Sequence, residues 1–347
     1  MNHVSNILEY PFASTPGPGE TMEVAPGVHW LRMPLPMSLN HINLYLIEGD
    51  QDWTIVDTGI RGEETSELWK QIFADRLGDK PVGQIICTHM HPDHTGQAGF
   101  LSDYWRAPLL MSYSEYYQAR VMGTMMQEGG SWHMSDFFIR AGVTMETLEA
   151  MRDTRSSFTP STDDTPLPKS YLRLSEGDTV KIGANEWQVI VGTGHSPEHV
   201  CLYCKALRVF ISGDQILPVI TSNVSVHPTE PLANPLLGWM DSHLKLMALI
   251  PNDTLILPAH NEPFYGVRLR LQQLIDHHED RMQIVLDQCV TPKKAIDLLP
   301  HLFERKLEDH AIFMALGEGI AHIHCLEAKG RIRKTRQDEH FLYQTIQ

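Results

Sequence analysis

The chain is short of cysteine, has no long apolar run and carries fewer basic than acidic side chains. Its cysteines, Cys87, Cys201, Cys204, Cys289 and Cys325, form an odd and dispersed set. Such spacing builds no disulfide framework, so a reducing compartment is expected. Cys201 and Cys204 stand three apart in a strand-like stretch, where alternation turns them to opposite faces. They read as one core thiol and one surface thiol rather than as a redox or zinc pair. No stretch approaches the roughly 20 apolar residues of a membrane helix. Residues 1–22 lack a basic region followed by an apolar one, so no secretion signal is expected either. Lys and Arg number 28 against 43 Asp and Glu, a formal net charge of −15. That balance disfavours general binding to a phosphate backbone, which needs clustered cations. The expectation is a soluble, cytoplasmic chain with no membrane partner. At 347 residues it exceeds the usual single core, so one large domain with an appendage is the natural division.

Histidine, by contrast, is plentiful, and its distribution is uneven. The run Thr88-His89-Met90-His91-Pro92-Asp93-His94 places four potential metal ligands within six positions. It follows the apolar stretch Ile85-Ile86-Cys87, which reads as a buried strand. Imidazoles and carboxylates crowded behind a buried strand are poor packing material, because each buried polar group needs a partner. A divalent cation would satisfy several at once. In an extended backbone, His89 and His91 would point to the same side and could share one ion. Asp93 and His94 lie beyond Pro92, where the chain must turn, and so suit a second ion.

Residues 1–25, with Pro11, Pro16 and Pro18, read as an extended leader that could pack on the surface or at a homodimer contact. Strands are expected at 28–33, 42–47 and 53–56, the last ending in Asp57-Thr58-Gly59, with a helix at 63–77 after it. Asp57 is either a turn cap or a hydrogen-bonding support for the ligand loop. Residues 113–157 form a helical insert rich in Met, Tyr and Trp, serving as the inner face of a small subdomain or as an apolar cover. Strands resume at 171–174, 179–182, 187–191, 199–204 and 208–211, then at 254–257 after a helix at 241–250. A rhythm emerges: a strand, then at once a ligand-type residue, at His89, His195, Asp214 and His260. Strand-end loops are where open α/β sheets carry function.

Thr88 to His94, then Gly194-His195, Ser212-Gly213-Asp214 and Ala259-His260, resemble the metallo-β-lactamase superfamily over about residues 28–265. The resemblance implies an α/β fold, a four-layer αββα sandwich spanning residues 26–265, with a dinuclear metal centre at one edge. It implies that His89, His91 and His195 hold a first metal and that Asp93, His94 and His260 hold a second. Asp214 would bridge the two. Within Gly194-His195-Ser196-Pro197-Glu198-His199 either histidine could be the ligand, and the family pattern selects His195. Imidazole and carboxylate without thiolate suit zinc, with manganese, iron or cobalt also accommodated. Two such cations would share a water and lower its pKa from ~16 toward ~7, giving hydroxide at neutral pH. Asp93 is the candidate proton shuttle, hence the catalytic residue. Flavin-coupled diiron relatives carry Glu where this chain has His91, so a hydrolase is expected rather than a redox enzyme.

Residues 266–347 read as helices at 266–288, 293–299 and 310–329 followed by a two-strand wing at 331–341. For the second helix Thr291 is the N-cap and Pro292 the first residue. The pattern resembles the winged-helix-like tail of one hydrolase branch, which includes an endoribonuclease. Yet residues 286–347 hold nine Lys or Arg against nine Asp or Glu, so there is no net positive field. A Met- and aromatic-rich cover suits a neutral acyl group better than a polyanion. The function expected is hydrolysis of a small ester, lactone or thioester. A phosphodiesterase or endoribonuclease using the tail is the alternative.

Overall fold

A computed structural model describes residues 7–37, 39–125, 131–149, 167–303 and 309–346. These fall into two compact units. The first lies within residues 1–123, 162–222 and 245–271, and the second within 124–161, 223–244 and 272–347.

The first unit is built on two sheets. One has seven strands in sequence order: β1 (Thr21–Ala25), β2 (Val28–Pro34), β3 (His41–Glu48), β4 (Trp53–Val56), β5 (Val82–Ile86), β6 (Leu109–Ser112) and β7 (Leu172–Leu174). Pairing is antiparallel up to β4 and parallel from β4 onward. Parallel neighbours need crossovers, and α1 (Glu63–Arg76) and α3 (Ala98–Trp105) supply two of them. Helix α1 forms where Thr65, Trp69, Ile72 and Phe73 fall on one face, with Glu63 and Glu64 in its first turn and Arg76 in its last.

The second sheet runs β12 (Leu255–Pro258), β11 (Val209–Gly213), β10 (His199–Cys204), β9 (Asn185–Gly192), β8 (Thr179–Ile182). The period-2 alternation of β3 divides its side chains between two cores. Leu44 and Leu46 join the helix side with Trp69 and Ile72. Tyr45 and Ile47 join Trp187, Val189, Leu202 and Ile211 of the second sheet. The sheets therefore meet face to face through one apolar layer, and helices cover the outer face of the first. The thiols depart from expectation here. Cys201 and Cys204 are both buried, because both faces of β10 are covered.

In the first unit β11 and β12 are parallel, and β9 and β11 are each antiparallel to β10. Strands β9, β11 and β12 thus run the same way and end at the same edge, which fixes where the chain after each of them must emerge.

Helix α7 (Val267–Gln288) ends where the sequence places it, and in the second unit α9 (Asp309–Ala328) is followed by Gly330, whose φ of 67° suits a helix stop. The hairpin of β13 (Ile332–Gln337) and β14 (His340–Thr345) comes next. Helix α6 (Pro235–Leu249) begins six residues earlier than expected, with Pro235 at its first position, where the missing N–H costs nothing. The helix expected at 293–299 is absent. Lys293 instead exchanges backbone hydrogen bonds with Tyr343, at 3.0 and 2.8 Å, and only a short turn at Ile296–Leu298 leads into α8 (Leu299–Leu302). An extended bridge to a strand fifty residues away outcompetes the local Thr-Pro helix signal.

Helix α9 also carries Glu318, whose burial pushes its carboxyl up to about 7 while Arg281 pulls it back. An unfolded Glu gives up its proton near ~4.3. Between these values the folded chain holds the extra proton, so stability falls as pH rises across that window. Glu318→Gln is expected to flatten the fall and to raise stability at pH 8 by roughly 1–2 kcal/mol, seen as a higher thermal midpoint there. Melting curves of both proteins at pH 5 and pH 8 check it; equal pH dependence in the two would contradict the assignment.

Candidate metal centre

The strand ends deliver their residues to one place. His89 and His91 follow β5, Asp93 and His94 lie in the one-turn helix α2 (Pro92–Thr95), His195 follows β9, Asp214 follows β11 and His260 follows β12. They assemble as two donor groups. His89, His91, His195 and Asp214 form one, and Asp93, His94 and His260 form the other, with the donor atoms of each group within 4.8 Å of one another.

In the first group His89 Nε2 lies 2.8 Å from His91 Nδ1 and 3.2 Å from His195 Nε2. The backbone at 88–90 is bent rather than extended. The two neighbouring histidines therefore converge through different ring atoms, Nε2 of one and Nδ1 of the other. Burial, then the surrounding imidazoles of His94, His91, His199 and His195, hold His89 well below the usual imidazole range. Burial and His195 push His91 down to about 3. Neutral rings present lone pairs, the form in which imidazole binds a cation.

Asp214 stands between the groups. Its Oδ2 is 3.3 Å from His195 Nε2 and 4.0 Å from His89 Nε2, while its Oδ1 is 3.5 Å from His260 Nε2 and 3.7 Å from His94 Nε2. In the second group Asp93 Oδ2 lies 3.5 Å from His260 Nε2 and 3.7 Å from His94 Nε2. Burial alone would raise the Asp214 carboxyl, but His260, His94 and His195 hold it well below the carboxylate range. For His94 burial works downward, and Asp57, Asp93 and Asp214 outweigh it and hold the ring well above the usual value. The three carboxylates around His94 thus favour positive charge at this group.

Whether a cation fits can be judged from atoms left unsatisfied. His94 Nε2 and Asp214 Oδ1 are buried with no hydrogen-bond partner, and they face each other. Buried polar atoms are costly in that state. Nitrogen and oxygen donors converging without thiolate fit a divalent cation of intermediate hardness.

The chain around the donors fixes their directions. Asp57, at the end of β4, has a φ of 60°, a backbone region Asp tolerates better than most residues. Its carboxylate accepts Thr88 N–H at 2.8 Å and lies 2.8 Å from His94 Nδ1. Of the two roles considered for Asp57, the structure shows the support. Thr58 donates its backbone and hydroxyl to His94 O at 2.8 and 2.7 Å. His260 Nδ1 meets His41 O at 2.9 Å. His199, the other candidate in the Gly194–His199 stretch, accepts the Asp214 N–H through Nε2 at 3.1 Å and stacks beside His89. Gly213 has a φ of 51°, and a Cβ there would sit 2.5 Å from the His199 ring, so this residue must be glycine.

Thr88 and His41 are not singled out by sequence: Thr88 lies inside the recognisable motif, and nothing local marks His41, whose partner His260 is distant in the chain. Of the insert's tyrosines, Tyr116 donates its hydroxyl to Pro168 O and stacks on Tyr171, while Tyr113 and Tyr117 are half exposed.

Residues 38–260 match the family described as the Metallo-beta-lactamase superfamily, and residues 282–346 match its Metallo-beta-lactamase-like, C-terminal domain. The chain belongs to the metallo-beta-lactamase superfamily. It is similar over 98% of its length to the solved structure of a beta-lactamase domain protein from Burkholderia ambifaria, of which 98% is covered, at 42% identity and a TM-score of 0.88. It is 26% identical to a probable metallo-hydrolase, YqjP, of Bacillus subtilis, over 87% of this chain and 92% of that one. It is 22% identical to the acyl-coenzyme A thioesterase MBLAC2 of Gallus gallus, over 70% of this chain and 80% of that one. Membership implies divalent metal ions, and among the described residues the two donor groups are the candidate ligands for them.

Asp57→Asn keeps the shape but removes the charge that orients His94. Partners of ligands typically carry 10–100-fold in metal affinity, and a loss of that order is expected in zinc competition against a chromogenic chelator. Wild-type affinity in the variant would deny Asp57 this role.

Proposed function

We propose that this chain is a dinuclear metal-dependent hydrolase acting on a small ester, lactone or thioester. The observation that carries the reading is Asp214, a single carboxylate whose two oxygens face two separate donor groups. His89, His91 and His195 would hold one cation, Asp93, His94 and His260 the other, and Asp214 would touch both. Zinc suits the donor set best, and manganese, iron or cobalt would be accepted by it. Bound there, the cations supply Lewis acidity and a water whose pKa falls toward ~7.

The chain's own groups do the rest. The carboxylate of Asp93 is partly exposed, with the second oxygen available to take a proton and pass it to a leaving group. Burial raises that carboxyl, but His94 and His260 outweigh it and keep it ionised. Asp57, Thr58 and His41 keep the donor rings from turning away. Within the C-terminal hairpin, the basic side chains have partners of their own. Arg333 donates to Gln344, Arg336 to Asp338 O, and Lys334 pairs with Glu327 and lies over the Phe341 ring. This favours a small uncharged or acyl substrate over a nucleic acid. The likeness to acyl-coenzyme A thioesterases puts thioesters first among the acyl substrates to try. Among the described residues no helix is long and apolar enough to cross a membrane.

His91→Ala is expected to lose at least one bound metal and nearly all hydrolysis. Elemental analysis together with rates on p-nitrophenyl esters, lactones, acyl thioesters and bis-p-nitrophenyl phosphate tests both the site and the substrate class. Full metal occupancy with unchanged turnover in the variant would overturn the site, and a strong preference for the phosphate diester would overturn the substrate class. Treatment with a chelator should abolish turnover, and adding zinc or manganese back should restore it.

A further inference from the structure

Glu115 lies in the first turn of α4 (Tyr113–Met125) and is completely buried. A glutamate there would ordinarily turn back to its own helix terminus or into solvent. This one does neither. Its Oε2 accepts the N–H of Met90 at 2.9 Å, and its Oε1 accepts the N–H of Glu198 at 2.8 Å. Met90 is the residue between His89 and His91. Glu198 lies three residues beyond His195 and directly before His199, whose ring accepts the Asp214 N–H. One carboxylate therefore joins the two loops that carry the first donor group, although they are more than a hundred residues apart in the chain.

The neighbours reinforce the join in the opposite sense. Glu198 Oε2 accepts the N–H of Ser114 at 2.7 Å, and Glu198 O accepts the Ser112 hydroxyl at 2.7 Å. Helix α4 thus gives an N–H to the His195–His199 turn and offers it a carboxylate in return. Burying a carboxylate is costly, with a penalty of several kcal/mol before its partners repay it. Two backbone amides would be met more cheaply by water or by a neutral amide side chain. A charged acceptor gives shorter and stiffer hydrogen bonds, and stiffness matters here. His89 must keep its Nε2 2.8 Å from His91 Nδ1 and 3.2 Å from His195 Nε2, a crowding that neutral rings would relieve by rotating apart.

We infer that Glu115 is a positioning residue for the first donor group, locking the His89–His91 bend to the His195–His199 turn so that their rings meet at one point. The inference rests on the metal reading given under Proposed function, but the lock itself is a property of the chain.

The test uses the full-length protein as wild type, Glu115→Gln and Glu115→Ala. Gln fills the same space but turns one acceptor into a donor, so it decides the matter if the alanine variant does not fold. Amide hydrogen exchange of the metal-free protein, followed in peptides covering 87–91 and 195–199, should be faster in Glu115→Gln. Cobalt(II), used as the probe, should bind it 10–100-fold more weakly and give a changed visible spectrum. Turnover should fall through kcat with KM little altered. Faster exchange with unchanged cobalt affinity and spectrum would make Glu115 a tie within the fold only and would overturn the inference, as would unchanged exchange. If the wild type takes up no cobalt, it is the metal reading that fails. Exchange at the Met90 and Glu198 amides then still upholds or overturns the lock.

Discussion

A carboxylate taken out of water must be balanced, and Asp214 is balanced by histidines brought from several parts of the chain. His89, His94, His195 and His260 all place a ring nitrogen within 4.0 Å of its two oxygens. Removing that charge would leave buried imidazoles facing each other, and removing the imidazoles would leave a buried anion. Neither half is tolerable without the other. The remaining architecture of the first unit can be understood as what keeps these five side chains from relaxing apart. The strands end at a common edge, the Asp57–Thr58 turn grips the backbone and ring of His94, and His199 grips the amide of Asp214.

The same frame explains why the site sits where it does. Strands that are covered on both faces leave polar chemistry only at their ends. Strands β9, β11 and β12 run in one direction, so three of the donors emerge at one edge without any special loop. The cost is concentrated in a few backbone positions. Asp57 and Asn261 hold positive φ, and Gly213 has no room for a side chain. Such positions are where a fold spends stability to set a side chain's direction.

What could be read from the sequence follows from how local each signal is. The His89–His94 run sits within one loop, and the strands that lead to His195, Asp214 and His260 announce themselves by apolar runs, so the donors could be named before any coordinates. The choice of His195 over His199 was not local. It came from the family pattern, and in the structure His195 faces Asp214 Oδ2 while His199 holds the Asp214 amide. Glu115 and His41 were invisible for the same reason, because their partners lie 25 or more residues away. The expected extended path through His89 and His91 was mistaken although the convergence was right. A bend can bring adjacent histidines together as well as a strand can, provided they use different ring nitrogens. The helix expected at 293–299 failed through a bridge from Lys293 to Tyr343 that no window of local residues contains.

This difference between donors and supports bears on how such a centre can change its substrate. The donors are dictated by the charge at Asp214, and any departure there unbalances the others. The supports are backbone amides held by a carboxylate or a ring, and these can be met in more than one way. On α4 itself, Tyr113 lies one residue before Ser114, where the helix ties into the Glu198 turn, and Tyr117 three residues after it, and both are half exposed. Their surfaces can therefore alter without disturbing the hydrogen bonds of Ser114 and Glu115 on the same helix. Only the residues of α4 that are tied to the two loops are constrained, and the exposed face of the same helix is not.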